Sequence, residues 1–136
     1  MQDCIFCKIV KGQLPAYKIY EDENFLAFLD IMPAAAGHTL VIPKKHFRWI
    51  WEVEPFNEYM NVCRKIAQHF QKITGEEKVL EIVEGMGVFH AHVHLIPNIE
   101  KNKVDRIVEL LTSLQTARIT DEKSQELVKL LKYEAK

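Results

Sequence analysis

The sequence predicts an α+β fold, with a five-stranded antiparallel sheet, one long helix and further helices at the C-terminus. Two observations support this prediction. Short segments rich in β-branched and aromatic residues alternate with turn-forming residues. One long segment with apolar residues at helical spacing separates the third and fourth of these strands, and the C-terminal part repeats that spacing twice. This order of elements is typical of a sheet with helices packed on one face.

The first three strands are predicted from residue type and from turn signals. Residues 17–21 and 25–30 are expected to pair around the turn-like segment 22–24. A proline and a glycine mark residues 32–37 as a loop. Residues 38–43 are rich in β-branched side chains and end in a proline, so we expect the third strand there.

The rest of the chain alternates helical and strand patterns. Apolar residues at helical spacing predict the main helix over 54–74. Two more strands are expected over 78–84 and 88–97, followed by amphipathic helices over 104–115 and 121–132. The pattern allows these last two helices to pack on the body or on a second subunit.

Length and composition favour one domain. A chain of 136 residues with 48% hydrophobic content fits a single domain over 1–136, with a core over 4–99 and a helical extension over 100–136. A net charge of −1 without a basic run argues against nucleic acid as a partner. No apolar run approaches the ~20 residues that span a membrane, so no membrane partner is expected. The N-terminus lacks signal-peptide features, and three cysteines favour reduced thiols in the cytoplasm.

Three histidines at every second position, His90, His92 and His94, are the most informative feature of the chain. Alternate residues of a strand share one face, so a strand over 88–97 would present all three imidazoles on one side. Neighbouring imidazoles would lie roughly 6.5–7 Å apart, from a rise of ~3.3 Å per residue. The small apolar residues between them suit a buried opposite face.

Imidazole chemistry leaves three interpretations of this ridge. A histidine can attack as a nucleophile, exchange protons near neutral pH or bind a metal. The ridge could be a polar surface strand, a zinc site built from alternate histidines, or a nucleophile directed at phosphate. The ridge alone does not choose between the last two.

Four ordered blocks lead into the triad, and the whole pattern resembles the histidine triad (HIT) superfamily. Together the blocks and the triad span residues 4–97, about two thirds of the chain. The blocks are Cys4–Val10 (CIFCKIV), Tyr20–Glu23 (YEDE), Phe28–Pro33 (FLDIMP) and Gly37–His46 (GHTLVIPKKH).

The resemblance implies a nucleotide-binding hydrolase that acts at the α-phosphate. The substrates would be purine nucleoside phosphoramidates or related adenylated and dinucleotide compounds. His92 would attack phosphorus to form a covalent nucleotidyl-histidine, assisted by His94 and His38. Family members often pair, so a homodimer is expected.

The resemblance also implies a nucleotide pocket. Asp30 would hold the ribose hydroxyls, and an ionised carboxylate that accepts two hydrogen bonds suits that role. Apolar residues would enclose the base. The implied pocket residues are Phe6, Ile9, Phe28, Asp30, Ile31, Gly87 and Val88. Taken singly, the apolar members also suit a core, and Asp30 also suits a turn.

Cys4 and Cys7 have the spacing of metal ligands. In the family context, His46 and His90 would complete a tetrahedral zinc site. Four protein ligands leave no open coordination position, so this zinc would be structural and no cofactor would be required for catalysis. The alternatives are two reduced thiols without metal, or a catalytic zinc bound by the triad itself.

The segment before the triad departs from the family pattern. Relatives commonly carry a glutamine and a small polar residue where this chain has Met86 and Gly87. A methionine cannot donate the hydrogen bond that a glutamine would give. This departure suggests an alternative function, a catalytically weak nucleotide-binding or interaction module.

Overall fold

The computed structural model describes residues 3–134 and confirms the α+β fold. One antiparallel sheet contains five strands in the order β1-β2-β3-β5-β4. The strands are β1 (Lys18–Glu21), β2 (Phe25–Leu29), β3 (Thr39–Pro43), β4 (Val79–Ile82) and β5 (Val93–Pro97). All five lie within the segments expected from the sequence.

Four α-helices accompany the sheet. They are α1 (Ile5–Val10), α2 (Phe56–Thr74), α3 (Lys101–Thr112) and α4 (Asp121–Leu131), and a short 3-10 helix spans Ile50–Glu52. The three longer helices lie close to their expected positions. Helix α1 was not predicted, because six residues are too few for a periodic pattern.

Both faces of the sheet are covered, which differs from the expected arrangement with helices on one face. Helix α2 packs on the face formed by alternate residues such as Val41, Val93 and Leu95. Helix α1 packs on the opposite face against Phe28 and Leu40. Central strands β2 and β3 are buried almost throughout, so each face requires its own cover.

The last strand is shorter than expected. We predicted a strand over 88–97, but β5 begins only at Val93. Its pairing with β3 ends at Val41–Val93, although β3 itself continues to Pro43 and pairs there with β2 only. The N–H of Ala91 instead donates to the carbonyl of Phe47 at 2.7 Å. The prediction that the whole triad lies on a strand is therefore wrong for its first two histidines.

The contacts divide the chain into two units. The first ends at Asp105 and contains the sheet, α1, α2 and the start of α3. The second begins at Arg106 and contains the rest of α3 and α4, which has no buried residue. Within residues 3–134, no helix is both long enough and apolar enough to cross a bilayer.

Candidate active site and metal centre

A cavity of about 440 Å³ lies between α1 and the sheet face that it covers. Nine predicted site residues line it: Phe6, Ile9, Phe28, Asp30, Ile31, Gly87, Val88, His92 and His94. The remaining lining residues were not predicted, and they are Ile5, Leu14, Pro15, Ala16, Leu29, Leu40 and Glu84. The sequence pattern therefore identified both walls of one cavity from separate parts of the chain.

His92 presents a nitrogen lone pair at this cavity. Its Nδ1 lies 2.7 Å from the backbone carbonyl oxygen of His90. A carbonyl only accepts, so Nδ1 carries the hydrogen and Nε2 carries the lone pair. The His92 side chain is only 4% exposed, yet it borders the cavity. Nε2 of His92 is thus held with its lone pair free beside an open space, as a nucleophile would require.

His38 and His94 form a hydrogen-bond chain that fixes the tautomers of both rings. The backbone N–H of Ala34 donates to Nδ1 of His38 at 3.0 Å. The other nitrogen of His38, Nε2, therefore carries the hydrogen and donates to Nδ1 of His94 at 2.8 Å. Nε2 of His94 then carries a buried N–H that finds no hydrogen-bond partner among residues 3–134. An unpaired donor at this position suits an anionic ligand.

Burial keeps these two rings neutral. It lowers the pKa of His38, although the charge of Asp30 acts in the opposite direction. Burial also lowers the pKa of His94, with further contributions from His92 and His38. Neutral rings are the state that the hydrogen-bond chain requires.

Asp30 lies at the cavity and also forms a turn. Its Oδ1 accepts a hydrogen bond from the N–H of Met32 at 2.8 Å, while Oδ2 lies 3.7 Å from Nε2 of His38. Ile31 borders the same cavity and is 77% exposed. Asp30 therefore stabilises a turn and lines the cavity at the same time.

Phe6 joins the cavity to the triad. Its ring makes edge contacts with Phe28 and His92, at centroid distances of 5.5 and 5.4 Å. It contacts His90 in the same way at 5.8 Å. Helix α1 therefore supplies an aromatic wall directly beside His92.

The predicted metal ligands meet at one point. The ligand atoms of Cys4, Cys7, His46 and His90 all lie within 4.8 Å of one another. Nδ1 of His90 lies 3.4 Å from Sγ of Cys4 and 3.5 Å from Sγ of Cys7. Nδ1 of His46 lies 3.3 Å from Sγ of Cys7. Two sulfur and two imidazole donors form a set that suits tetrahedral zinc.

The surroundings of this cluster also suit a metal. Nε2 of His90 donates to the carbonyl of Pro43 at 2.8 Å, which leaves the Nδ1 lone pair facing the thiols. Burial lowers the pKa of His90 to about 4, so the ring is neutral as a ligand must be. Burial, together with the neighbouring Cys4 thiol, raises the pKa of Cys7 to about 11. A bound cation would supply the positive charge that a thiolate needs there.

A second group of possible ligands lies in the cavity itself. Atoms of Glu84, His92 and His94 also lie within 4.8 Å of one another. However, Nε2 of His94 carries the hydrogen in the chain from Ala34 through His38. If His94 offered the lone pair of Nε2 to a metal, its hydrogen would move to Nδ1 and the hydrogen of His38 would move to its own Nδ1. That N–H of His38 would then face the N–H of Ala34. The hydrogen bonds therefore disfavour the alternative of a catalytic zinc on the triad.

Glu84 is the charged cavity residue that the sequence did not reveal. Its Oε2 accepts a hydrogen bond from the N–H of Met86 at 2.8 Å. Its Oε1 lies 3.5 Å from Nε2 of His94 and 3.7 Å from Nε2 of His92. The backbone hydrogen bond from Met86 is the main cause of a lowered pKa, which keeps the carboxyl ionised at neutral pH. Glu84 lies in the segment that departs from the family pattern, so no motif pointed to it.

Aromatic packing fixes the loop that carries Glu84. Gly85 has a φ of +66°, and an added Cβ would meet the Trp49 ring at 2.9 Å. The Arg48 guanidinium stacks on the rings of Trp49 and Phe89, at 3.8 and 4.1 Å. Met86 is 70% exposed and does not line the cavity.

Comparisons with known proteins agree with this architecture. Adenylylsulfatase HINT3 of Arabidopsis thaliana is 37% identical over 74% of this chain and 54% of its own length. Adenosine 5'-monophosphoramidase HNT1 of Saccharomyces cerevisiae is 35% identical over 69% of this chain and 61% of its own length. The crystal structure of a HIT family protein from Bacillus anthracis superposes with a TM-score of 0.71 and 32% identity, over 95% of this chain and 94% of that one.

The family model of the HIT domain matches residues 11–101, which is more than half of the chain. The match contains the triad and the strands around it. The chain belongs to the HIT family.

Proposed function

We propose that this protein is a hydrolase that cleaves purine nucleoside phosphoramidates at the α-phosphate through a covalent adduct on His92. The observation that carries the proposal is the orientation of two imidazoles at one cavity. His92 faces it with a lone pair, and His94 faces it with an unpaired N–H. A nucleophile beside a hydrogen-bond donor is what attack on a phosphate requires.

The reaction proceeds in two displacements. In the first, Nε2 of His92 bonds to phosphorus and the P–N bond breaks, so the amine leaves with the bonding pair and takes up a proton from solvent. In the second, water attacks phosphorus, the P–Nε2 bond breaks, and its electron pair returns to His92. The water proton passes to solvent, and the nucleoside monophosphate leaves.

The other predicted residues support the nucleophile or bind the nucleotide. His94 donates its N–H to a phosphate oxygen, and His38 keeps that ring in the donating tautomer. Asp30 accepts hydrogen bonds from the ribose hydroxyls. The purine contacts the apolar walls, which are formed by Phe6, Ile9, Phe28 and Ile31. The phosphate lies beside Gly87 and Val88.

Cys4, Cys7, His46 and His90 would hold a structural zinc, and no further cofactor is required for these steps. The closed donor set supports a role in stability, because four protein ligands fill a tetrahedron. Family membership supports a homodimer, and the composition and charge of the chain support a cytoplasmic protein that has neither nucleic acid nor a membrane as partner. Light scattering would then give twice the mass of one chain.

The leaving group is the least constrained part of the substrate. The yeast relative is named as a phosphoramidase, and the plant relative as an adenylylsulfatase. Dinucleoside polyphosphates belong to the same chemical class. A second candidate function is a nucleotide-binding module with weak turnover, because Met86 brings no hydrogen-bonding side chain to the cavity.

Turnover of adenosine 5'-phosphoramidate tests the proposal. The wild-type protein should release AMP, and His92→Ala should lower kcat by at least about 10³-fold because the nucleophile is lost. His69→Ala is the matched control, since this histidine is exposed on α2, and it should keep the wild-type rate. Equal rates for His92→Ala and wild type would refute the role of His92. Calorimetric binding of AMP without turnover in the wild type would favour the binding module.

A further inference from the structure

The cavity has an acidic lining. Within residues 3–134, its charged lining residues are Asp30 and Glu84, and no lysine or arginine lines it. Arg48, the cation beside the Glu84 loop, is stacked on Trp49 and Phe89 instead. A cavity with this lining disfavours each additional negative charge on a ligand.

Glu84 lies where the reacting phosphate would bind. One of its oxygens is 3.5 Å from the unpaired N–H of His94 and 3.7 Å from the nucleophilic nitrogen of His92. A phosphate oxygen that accepts from Nε2 of His94 would therefore lie next to that carboxylate oxygen. The Glu84 side chain is 45% exposed and can rotate, but its loop stays anchored through Gly85 on Trp49. The carboxylate therefore remains next to the reacting group.

We propose that Glu84 determines leaving-group specificity, by favouring substrates that release an amine over substrates that release an anion. This inference rests on the proposed hydrolase function and names the substrate class of the same site. When the P–N bond breaks, the nitrogen takes up a proton and gains positive charge, which a neighbouring carboxylate stabilises. A sulfate or polyphosphate leaving group gains negative charge, which the same carboxylate repels.

Two adenylyl compounds that differ only in the leaving group test this role. Adenosine 5'-phosphoramidate releases ammonia, and adenosine 5'-phosphosulfate releases sulfate. We expect Glu84→Gln to raise kcat/KM for the sulfate compound, relative to the phosphoramidate, by about tenfold through loss of one like charge. Glutamine keeps the size of the side chain and can still accept from the N–H of Met86.

Glu81→Gln is the matched control, because it removes the same charge from β4 on the face away from the cavity. It should leave the ratio of the two kcat/KM values unchanged. A ratio within twofold of wild type for Glu84→Gln, or an equal shift for Glu81→Gln, would overturn the assignment.

Equilibrium binding separates this inference from the hydrolase proposal, because it requires no turnover. Glu84→Gln should tighten ADP binding by roughly fivefold more than AMP binding, since ADP carries the additional negative charge. Equal changes in the affinities for ADP and AMP would overturn the role of Glu84. Unequal changes in a protein that shows no turnover would overturn only the hydrolase proposal.

Discussion

At the scale of single residues, two similar imidazoles acquire opposite properties from their hydrogen bonds. His92 donates through Nδ1 to a backbone carbonyl, which leaves a lone pair at Nε2. His94 accepts at Nδ1 from His38, which leaves an N–H at Nε2. The same side chain thus presents a lone pair at one position and an N–H donor two residues later, which are the properties that the proposed nucleophile and the proposed phosphate-binding group require. Alternation in the sequence predicts their proximity, but their tautomers depend on partners distant in sequence.

His38 should make stability depend on pH. Burial lowers its folded pKa below the ordinary value of 6.5, and the groups facing it are His94 and Asp30. The unfolded chain therefore takes up a proton first as the pH falls, so this contribution is complete above about pH 6.5 and is lost on acidification. We expect His38→Gln to lower the free energy of unfolding by about 1–2 kcal/mol at pH 7.5 and to reduce the loss between pH 7.5 and 5.5. Urea unfolding at both pH values measures this.

His69→Gln provides the comparison for this experiment, because His69 is exposed on α2. It should show the wild-type dependence on pH. An unchanged dependence in His38→Gln would show that His38 is not held neutral by burial.

At the scale of elements, α1 connects the candidate metal centre to the candidate nucleotide pocket. Cys4 caps the helix and accepts from the N–H of Cys7, so both thiols lie at its first turn. Phe6, between them in sequence, lines the cavity and contacts both His90 and His92. Binding of a metal at the first turn would therefore hold the aromatic wall in place.

Removal of one thiol tests this connection. Cys4→Ser should lose the bound zinc and weaken AMP binding by about tenfold, because α1 loses its anchor. Metal analysis by mass spectrometry and calorimetry measure the two effects. Cys63→Ala is the control, since Cys63 is buried on α2 in the apolar cluster on the opposite face of the sheet from α1. This variant should keep its zinc. Zinc retained in Cys4→Ser would contradict the four-ligand site.

The Glu84 loop requires glycine at position 85 for two reasons. Its φ of +66° strains any other residue, and Trp49 leaves no room for a Cβ. Gly85→Ala should lower the free energy of unfolding by about 2–3 kcal/mol. Gly75→Ala has a similar φ of +71° but open space, so it should cost only about 1 kcal/mol. Equal costs in urea unfolding would show that Trp49 does not constrain the loop.

The sequence predicted the long elements better than the segments at the site. Residue type and spacing located the strands and α2, because these features are local. The pattern could not show that pairing with β3 stops at Val93, because that depends on partners distant in sequence, such as the Phe47 carbonyl that accepts from Ala91. It also missed α1 and Glu84, since a six-residue helix and a single carboxylate in a loop carry no periodic signal.

At the scale of the whole molecule, the two units differ in how much they bury. The unit ending at Asp105 contains both apolar clusters and the whole cavity. In the second unit, α4 buries no residue and leaves leucines such as Leu130 and Leu131 more than 70% exposed. Sequence periodicity predicted these amphipathic helices, but not what covers their apolar side.

Deletion of residues 113–136 tests how much α4 contributes to stability. A chain that ends at Thr112 keeps α3 and its buried Val104. Its thermal midpoint should lie within about 3 °C of the full chain, because α4 contributes no buried residue. A much lower midpoint would mean that residues 113–136 stabilise the protein through contacts that a single chain does not make.

The covalent adduct on His92 is the most direct test of the proposed chemistry. The protein is mixed with adenosine 5'-phosphoramidate, quenched with alkali within one turnover, digested and mapped by mass spectrometry. The expected result is one adenylyl group on the peptide that contains His92, and no such group in His92→Ala. An active wild-type enzyme that shows no adduct, or an adduct on another residue, would contradict the mechanism.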